Sequence, residues 1–225
     1  MSSEFELQQT EHGIQLVWTA GPKGIKPLEL DFRAGKSGYR AVNSSLKSES
    51  LIKALGITGK RKPSVLDATA GLARDALMVA AFGSSVDLIE RHPMVRILLQ
   101  DALERGRNGA DKIADCCRRM QLLEVEHVKQ VSSEQYDVVY LDPMYPKSGK
   151  QRAQVKKDMQ MFQQLVGGDE DANDLIAPAL DAAKFRVVVK RPDHADFLGQ
   201  REPNTQIKSK KHRFDVYIKQ GFEQL

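Results

Sequence analysis

The segment Asp142-Pro143-Met144-Tyr145-Pro146 combines residue types that suit a reactive loop. Two prolines fix φ and remove two backbone N–H groups, so we predict a stiff loop with outward-facing carbonyl oxygens. A carboxylate and carbonyl oxygens can accept hydrogen bonds from an exocyclic amine and turn its lone pair toward a methyl donor, and Tyr145 can stack on the group that carries the amine. We therefore take Asp142, Pro143 and Tyr145 as candidate catalytic residues, with Asp142 nearest to receive the departing proton. The alternative is a proline-bounded loop with a purely structural role.

A second candidate segment, residues 67–75, reads Asp-Ala-Thr-Ala-Gly-Leu-Ala-Arg-Asp. Its small residues let the backbone pass close to a ligand. The patterns G-x-G-x-x-G and G-x-x-x-x-G-K-[ST] are both absent, which disfavours a pyrophosphate cradle. A turn with one glycine, Gly71, and an acid at its start suits a cationic ligand better. Asp67 could face the ammonium group of S-adenosylmethionine and Arg74 its carboxylate, although an ordinary tight turn explains this segment equally well.

Two further acidic positions follow at similar places in the pattern. Glu90 comes 23 residues after Asp67 and could accept hydrogen bonds from both hydroxyls of a ribose. Alone, it does not separate nicotinamide cofactors from adenosyl cofactors. Glu126 and His127 come after the next apolar run, where residues usually border an adenine, but a plain loop is as good an interpretation.

These segments all follow apolar runs that alternate with helical patterns. The predicted strands are 64–69, 85–90, 120–125, 136–142, 185–190 and 214–219, and the predicted helices are 72–82, 93–106, 155–166 and 175–180. Nearly continuous apolar runs are typical of strands buried on both faces, so we predict an α/β fold with a mostly parallel sheet and helices on both faces. Ligands of such sheets bind beyond the carboxyl ends of the strands, where the candidate residues lie.

The first 60 residues have a different pattern. Residues 13–18 and 28–32 alternate as strands do, and a turn-rich stretch at 21–24 separates them. A short helix through Leu51, Ile52 and Leu55, stopped by Gly56, leads onward. We therefore predict a small β-rich N-terminal unit over residues 1–60 and a main domain over 61–225.

Composition limits the classes of protein. The chain has 225 residues, 41% hydrophobic and 28% charged, as is ordinary for a globular protein. Its longest uncharged apolar stretch is 11 residues, far below a membrane span, and the N-terminus lacks a signal-like apolar region, so we expect a cytoplasmic protein. The adjacent Cys116 and Cys117 make a poor zinc site and are interpreted as two thiols on a helix face, so no metal is expected.

The basic residues are unevenly distributed. The net charge is +4, and clusters occur at 60–62, 147–157 and 208–213. Such clusters suit a polyanion, although each could be a solvated surface. The candidate contacts to a nucleic-acid backbone are Lys147, Lys150, Arg152, Lys190 and Arg191.

Together, the turn at 67–75, the Ile-Glu-Arg at 89–91 and the loop at 142–146 resemble the bacterial ribosomal RNA small-subunit methyltransferase J family. The resemblance continues through 155–159, 162–167 and 188–192, and it covers residues 63–195 well. It implies a class I, Rossmann-like, S-adenosylmethionine-dependent enzyme that methylates the N2 amine of a guanine in 16S ribosomal RNA, free or in the small ribosomal subunit.

The resemblance also assigns cofactor positions. They are Arg74, Asp75, Glu90, Arg91, Glu126, His127 and Asp142, to which the turn adds Asp67 and Gly71. Two departures stand out: Glu126-His127 replaces the small hydroxyl residues expected there, and D-P-M-Y-P replaces the D-P-P-Y or N-P-P-Y of wider amino-methyltransferases. The first departure concerns the contacts to adenine rather than the reaction.

Other functions remain open at this point. One is an amino-methyltransferase acting on adenine N6 of DNA or RNA, or on a protein amide. A second is a nucleotide-dependent oxidoreductase, which the absent G-x-G-x-x-G disfavours. A third is a non-catalytic RNA-binding protein with a relict fold.

Overall fold

The computed structural model describes residues 4–45, 49–144, 157–169, 171–210 and 212–222, with the backbone alone at 157–159. The strands are β1 Phe5–Thr10, β2 Gly13–Trp18, β3 Leu28–Glu29, β4 Val65–Asp67, β5 Val86–Leu88, β6 Met120–Leu122, β7 Tyr136–Leu141, β8 Ala183–Arg191, β9 Thr205–Lys208 and β10 Arg213–Ile218. The helices are α1 Gly35–Asn43, α2 Ser50–Ala54, α3 Arg74–Ala81, α4 Pro93–Arg107, α5 Lys112–Arg118, α6 Lys157–Val166 and α7 Ile176–Ala182. Among the described residues, no helix is long and apolar enough to cross a membrane.

The main sheet of the described chain has seven strands in the order β6-β5-β4-β7-β8-β10-β9. The first five are parallel, whereas β10 pairs antiparallel with both β8 and β9. Successive strands spread from β4 to one side and from β7 to the other, so the order reverses between these two neighbours. Such a switch point opens a crevice at the carboxyl ends of the strands. The ends of β4 and β7 carry Asp67 and Asp142.

Side chains of the central strands alternate between two apolar layers. On β7, Val138 and Tyr140 face the layer that contains α3, α4 and α5, whereas Val139 and Leu141 face the layer that contains α7. This period of two is the geometry of a strand that is buried on both faces. It confirms the predicted α/β fold with a mostly parallel, helix-covered sheet.

The N-terminal segment forms an antiparallel sheet of β1, β2 and β3. This sheet packs on α4: the carboxylate of Asp101 accepts a hydrogen bond from the backbone N–H of Ile14, and Arg105 donates one to the carbonyl of Leu30. The buried side chains of Leu16 and Phe32 belong to the same apolar cluster as the helices α3–α5. The predicted β-rich start is confirmed, and its strand β1 and helix α1 are additions that the pattern did not indicate.

Several predicted elements differ in length. The helix expected from residue 72 begins at Arg74, because Ala73 adopts the left-handed conformation with φ of 51° and cannot be helical. The strands predicted at 28–32 and 120–125 end at Glu29 and Leu122. The elements α5 and β9 were not predicted. The buried thiols of Cys116 and Cys117 lie on α5, and burial raises the pKa of Cys117 to about 11.

Candidate functional site

A cleft of about 410 Å³ opens at the carboxyl ends of β4, β5 and β7. All nine cofactor positions predicted from the sequence line it. They are Asp67, Gly71, Arg74, Asp75, Glu90, Arg91, Glu126, His127 and Asp142. The structure therefore brings together residues that are up to 75 positions apart in the chain, from 67 to 142.

The glycine turn after β4 is held by the next strand. Gly71 has φ of +51°, and a Cβ there would meet only Phe162 at 3.5 Å, so the backbone conformation rather than space requires glycine. The Gly71 N–H donates to Oε2 of Glu90 at 2.9 Å. The N–H of Ala73 donates within the turn to the carbonyl of Ala70 at 2.7 Å. These donors are thus engaged by the protein itself, unlike those of a loop that cradles phosphates.

Glu90 is fixed from both sides at the end of β5. Its Oε1 accepts from the N–H of His92 at 2.7 Å, opposite the bond from Gly71. Burial raises the pKa of Glu90, although these two hydrogen bonds oppose the shift. Each carboxylate oxygen can accept a further hydrogen bond, so Glu90 remains able to bind the two hydroxyls of a ribose.

The third strand end carries the unusual pair Glu126-His127. Both backbone N–H groups donate to Oε1 of Gln130 at 2.9 Å, and Nδ1 of His127 accepts from the N–H of Lys129. Burial, reinforced by Lys129, lowers the pKa of His127, which favours the neutral imidazole. Because Nδ1 accepts a hydrogen bond, the proton of the neutral ring is assigned to Nε2. Arg96 joins this end to β5, since its guanidinium donates to the carbonyls of Glu90 and Leu123. Glu126 and His127, which replace the small hydroxyl residues expected here, therefore lie on a loop whose backbone is fixed by these hydrogen bonds.

Asp142 belongs to a network of charges at the end of β7. Nζ of Lys190 lies 2.8 Å from Oδ2 of Asp142 and 2.8 Å from Oδ2 of Asp75. The hydroxyl of Tyr140 also donates to Oδ2 of Asp75 at 2.8 Å. Burial would lower the pKa of Lys190, but the two carboxylates outweigh it and raise that pKa above its ordinary value.

The pKa values of Asp67, Asp75 and Asp142, the three acids near Lys190, are shifted in different directions. Burial raises the pKa of Asp67 well above its usual range, with Asp75 and Asp142 adding to the effect. Burial also raises the pKa of Asp142, against the opposing charge of Lys190. For Asp75, the ion pair with Lys190 and the hydrogen bond from Tyr140 overcome burial and lower the pKa. Asp142 is therefore a stronger base than an ordinary aspartate.

The loop after β7 is tied to two other segments. The N–H of Asp142 donates to Oγ1 of Thr69 at 2.6 Å, and the N–H of Met144 donates to Oδ2 of Asp169. The other oxygen of Asp169 pairs with Arg91, which also binds Asp171 at 2.9 Å. Pro143, which lies between these two hydrogen-bonded residues, is buried.

The predicted substrate contacts have different placements. Tyr145, Lys147, Lys150 and Arg152 lie outside the described residues. Lys190 is engaged in the carboxylate network, and Arg191 is 6% exposed, with its guanidinium donating to the carbonyl of Asp196. The placements of Lys190 and Arg191 favour contacts within the protein over contacts to an RNA backbone.

Some residues of the cleft were missed by sequence reasoning. They are Ser37, Arg40, Tyr140, Phe162 and Asp169, whereas Thr69 lies in the predicted turn but had no role of its own there. Tyr140 could have been found, because it precedes Asp142 by two positions in a strand and so shares its face. The residues Ser37, Arg40 and Asp169 come from distant segments with no motif of their own. No group of three or more His, Cys, Asp or Glu that could hold a metal ion occurs in the described part of the chain.

The fold and the site define the class of S-adenosylmethionine-dependent methyltransferases. The model of the family described as "Putative SAM-dependent methyltransferase" matches residues 1–219. The solved SAM-dependent methyltransferase from Neisseria gonorrhoeae superimposes with a TM-score of 0.75 at 30% identity, covering 98% of this chain and 85% of that one.

More narrowly, the chain belongs to the ribosomal RNA small subunit methyltransferase J family. It is 58% identical over 222 residues to the protein of that name from Idiomarina loihiensis, covering 98% of this chain and 84% of the relative. It is 44% identical over 218 residues to the protein of that name from Haemophilus influenzae strain PittGG, covering 96% and 84%. The predicted family and the predicted dependence on S-adenosylmethionine are confirmed.

Proposed function

We propose that this protein transfers a methyl group from S-adenosylmethionine to the exocyclic N2 amine of a guanine in 16S ribosomal RNA. The acceptor would be the free RNA or the small ribosomal subunit in the cytoplasm. The names of the relatives at 58% and 44% identity support the class of substrate. The observation that carries the chemistry is the carboxylate of Asp142 at the edge of the cleft, which Lys190 binds while Thr69 accepts from the backbone N–H of the same residue.

The residues of the cleft fit this cofactor. A volume of about 410 Å³ is in the range of small-molecule sites. Six acidic residues line the cleft against four Lys or Arg residues, and the Gly71 N–H that a pyrophosphate would need is bonded to Glu90. This arrangement favours a cationic adenosyl cofactor over a dinucleotide. When bound, S-adenosylmethionine supplies an electrophilic methyl group.

We assign the cofactor contacts by the chemistry of each strand end. Asp67 faces the ammonium group and Arg74 the carboxylate at the end of β4. Glu90 binds the ribose hydroxyls at the end of β5, and Glu126 and His127 border the adenine. Asp75 acts chiefly through Lys190, and Arg91 through Asp169, because their charged groups are engaged there.

Asp142 positions the acceptor amine and receives its proton. Its carboxylate accepts a hydrogen bond from the guanine N2 amine and directs the nitrogen lone pair toward the cofactor. Holding the reacting atoms about 3–3.5 Å apart supplies much of the rate. The amine then releases a proton, and the raised pKa of Asp142 makes its carboxylate a competent acceptor. Tyr145 would stack on the guanine, offsetting the few kcal/mol that extrusion of a base costs.

The proposal is tested by measuring transfer of tritiated methyl groups to several acceptors. We expect transfer to 16S ribosomal RNA, or to 30S particles, from a strain that lacks this gene, and none to duplex DNA or to a glutamine peptide. Asp142→Asn should lower kcat by about 100-fold or more, since general-base contributions are of that order. The control is Asp174→Asn, which changes an exposed acid in the short 3-10 turn Ala172–Leu175. Transfer to DNA alone, or full turnover by Asp142→Asn, would contradict the proposal.

A further inference from the structure

Helix α1 presents an unusual surface beside the cleft. Tyr39 is 70% exposed and Val42 is 43% exposed, and among the large hydrophobic residues of the described chain Tyr39 is the most exposed. The same helix carries Lys36 and Arg40 and no acidic residue. Exposed aromatic rings beside cations are typical of surfaces that bind single-stranded nucleic acid, because bases stack on the ring and phosphates pair with the cations.

The direction of each side chain follows from the helical geometry. At about 100° per residue, Gly38 and Ala41 share the side of α1 that packs on the core, and both are buried. Ser37 and Arg40 lie on the side that lines the cleft. Lys36, Tyr39 and Asn43 lie on the remaining side, which faces solvent. Arg40 is at the border, so the solvent-facing side of α1 continues directly into the wall of the cleft.

Arg40 is held in a position from which its guanidinium can bind a phosphate. Its guanidinium is 2.7 Å from Oε2 of Glu49, and the Arg40 side chain remains 55% exposed. One anchored nitrogen leaves other guanidinium N–H groups able to donate to a phosphate, since arginine has five donors. Gly38 lets α1 sit close to the preceding chain, because a Cβ there would lie 2.5 Å from the carbonyl oxygen of Phe32. The helix is therefore held tightly while its outer side stays open.

We propose that this α1 surface, formed by Lys36, Tyr39, Arg40 and Asn43, binds the substrate RNA next to the methylated nucleotide. Tyr39 stacks on a flanking base, and Lys36 and Arg40 contact the adjoining phosphates. The proposal rests on the proposed function, because the acceptor base must enter the cleft that α1 borders. It gives the N-terminal segment a role in selecting the substrate in addition to its packing against the helices of the main domain.

The first test measures the affinity of the full-length enzyme for fluorescein-labelled, unmethylated 16S ribosomal RNA, with S-adenosylhomocysteine present. Tyr39→Ala should raise Kd about 5- to 150-fold, the range for loss of one stacked base, whereas Tyr39→Phe should stay near wild type. Lys36→Ala should lower the slope of log Kd against log salt by about 0.7, the value for one phosphate contact on a single strand. The binding of S-adenosylhomocysteine itself should be unchanged.

Two matched controls separate this surface from general effects. Ile97→Ala removes another exposed apolar side chain, on α4, and Lys184→Ala removes an exposed lysine near the start of β8, at the end of the strand opposite the cleft. If Tyr39→Ala and Lys36→Ala behave as these controls do while the wild type methylates the RNA, the α1 proposal is wrong and the proposed function stands. If the wild type methylates no ribosomal RNA, both fail. A defect on 30S particles but not on protein-free RNA would mean that α1 contacts a ribosomal protein, which also overturns the proposal.

Discussion

Lys190 is shared by two carboxylates that the fold places at the ends of different elements. Its Nζ lies 2.8 Å from both Asp75, in the first turn of α3, and Asp142, after β7. Two neighbouring carboxylates raise each other's pKa, and an adjacent cation opposes that shift. Lys190 therefore opposes the rise in the pKa of Asp142 that burial causes.

Replacing Lys190 should change the pH dependence of the reaction. In Lys190→Met the pKa of Asp142 and that of Asp75 both rise, because the charge that lowers them is gone. Since the proposed mechanism needs ionised Asp142, the acidic limb of the kcat profile should move to higher pH. We also expect kcat to fall about 10- to 100-fold, as the carboxylate loses its positioning.

The control for this variant is Lys184→Met, at an exposed lysine near the start of the same strand. Its profile of kcat against pH should match that of the wild type. An unshifted acidic limb in Lys190→Met would show that Lys190 does not govern the ionisation of Asp142.

At the scale of elements, the loop after β7 is positioned by its neighbours. Thr69, from the turn after β4, accepts from the N–H of Asp142, and Asp169, from the segment after α6, accepts from the N–H of Met144. Asp169 also pairs with Arg91 from the end of β5. Three strand ends and one helix connection therefore fix the start of this loop.

Asp169 and Asp171 provide a matched pair for testing this arrangement. Both carboxylates bind Arg91, but Asp169 alone of the two also holds the loop, and their side chains are 12% and 46% exposed. Asp169→Ala should lower kcat about tenfold or more in a steady-state methyl-transfer assay, because the loop loses an anchor. Asp171→Ala should stay close to wild type. Equal effects of the two changes would assign the defect to Arg91 instead.

The residues at the strand ends could be predicted from the sequence, but the hydrogen bonds between the loops that follow the strands could not. A parallel sheet brings the carboxyl ends of its strands to one edge, so Asp67, Glu90 and Asp142 could be assigned to one cleft from the apolar runs that precede them. The contact of Asp169 with Met144 joins two loops, and no periodicity fixes the path of a loop. Strand β1 and helix α1 were missed because the first is mostly polar and the second contains two glycines.

At the scale of the whole molecule, the N-terminal sheet shares its core with the methyltransferase fold. Leu16 and Phe32 belong to the same apolar cluster as Leu99 and Leu103 of α4. The composition changes near residue 60, where the sequence predicts a boundary between two units. The apolar core continues across that position, so we expect the two parts to unfold together.

The position of Trp18 makes this expectation testable. It is the single tryptophan of the chain and stacks on Phe5 with ring centroids 5.6 Å apart, so its fluorescence reports on the N-terminal sheet. Far-ultraviolet circular dichroism reports on the whole chain. The two thermal transitions should coincide, and S-adenosylhomocysteine at about 100 times its Kd should raise both by about 5–10 °C. A fluorescence transition at lower temperature, unmoved by the ligand, would mean that the N-terminal sheet is independent.

The central claim is the methylation of a guanine N2 in 16S ribosomal RNA. The most direct measurement is mass spectrometry of nuclease fragments of 16S ribosomal RNA from a strain that lacks this gene. We predict that one N2-methylguanosine is missing, that the wild-type gene restores it, and that the Asp142→Asn gene does not. An unchanged set of methylated nucleotides, or a missing methyl group at an atom other than guanine N2, would contradict the account.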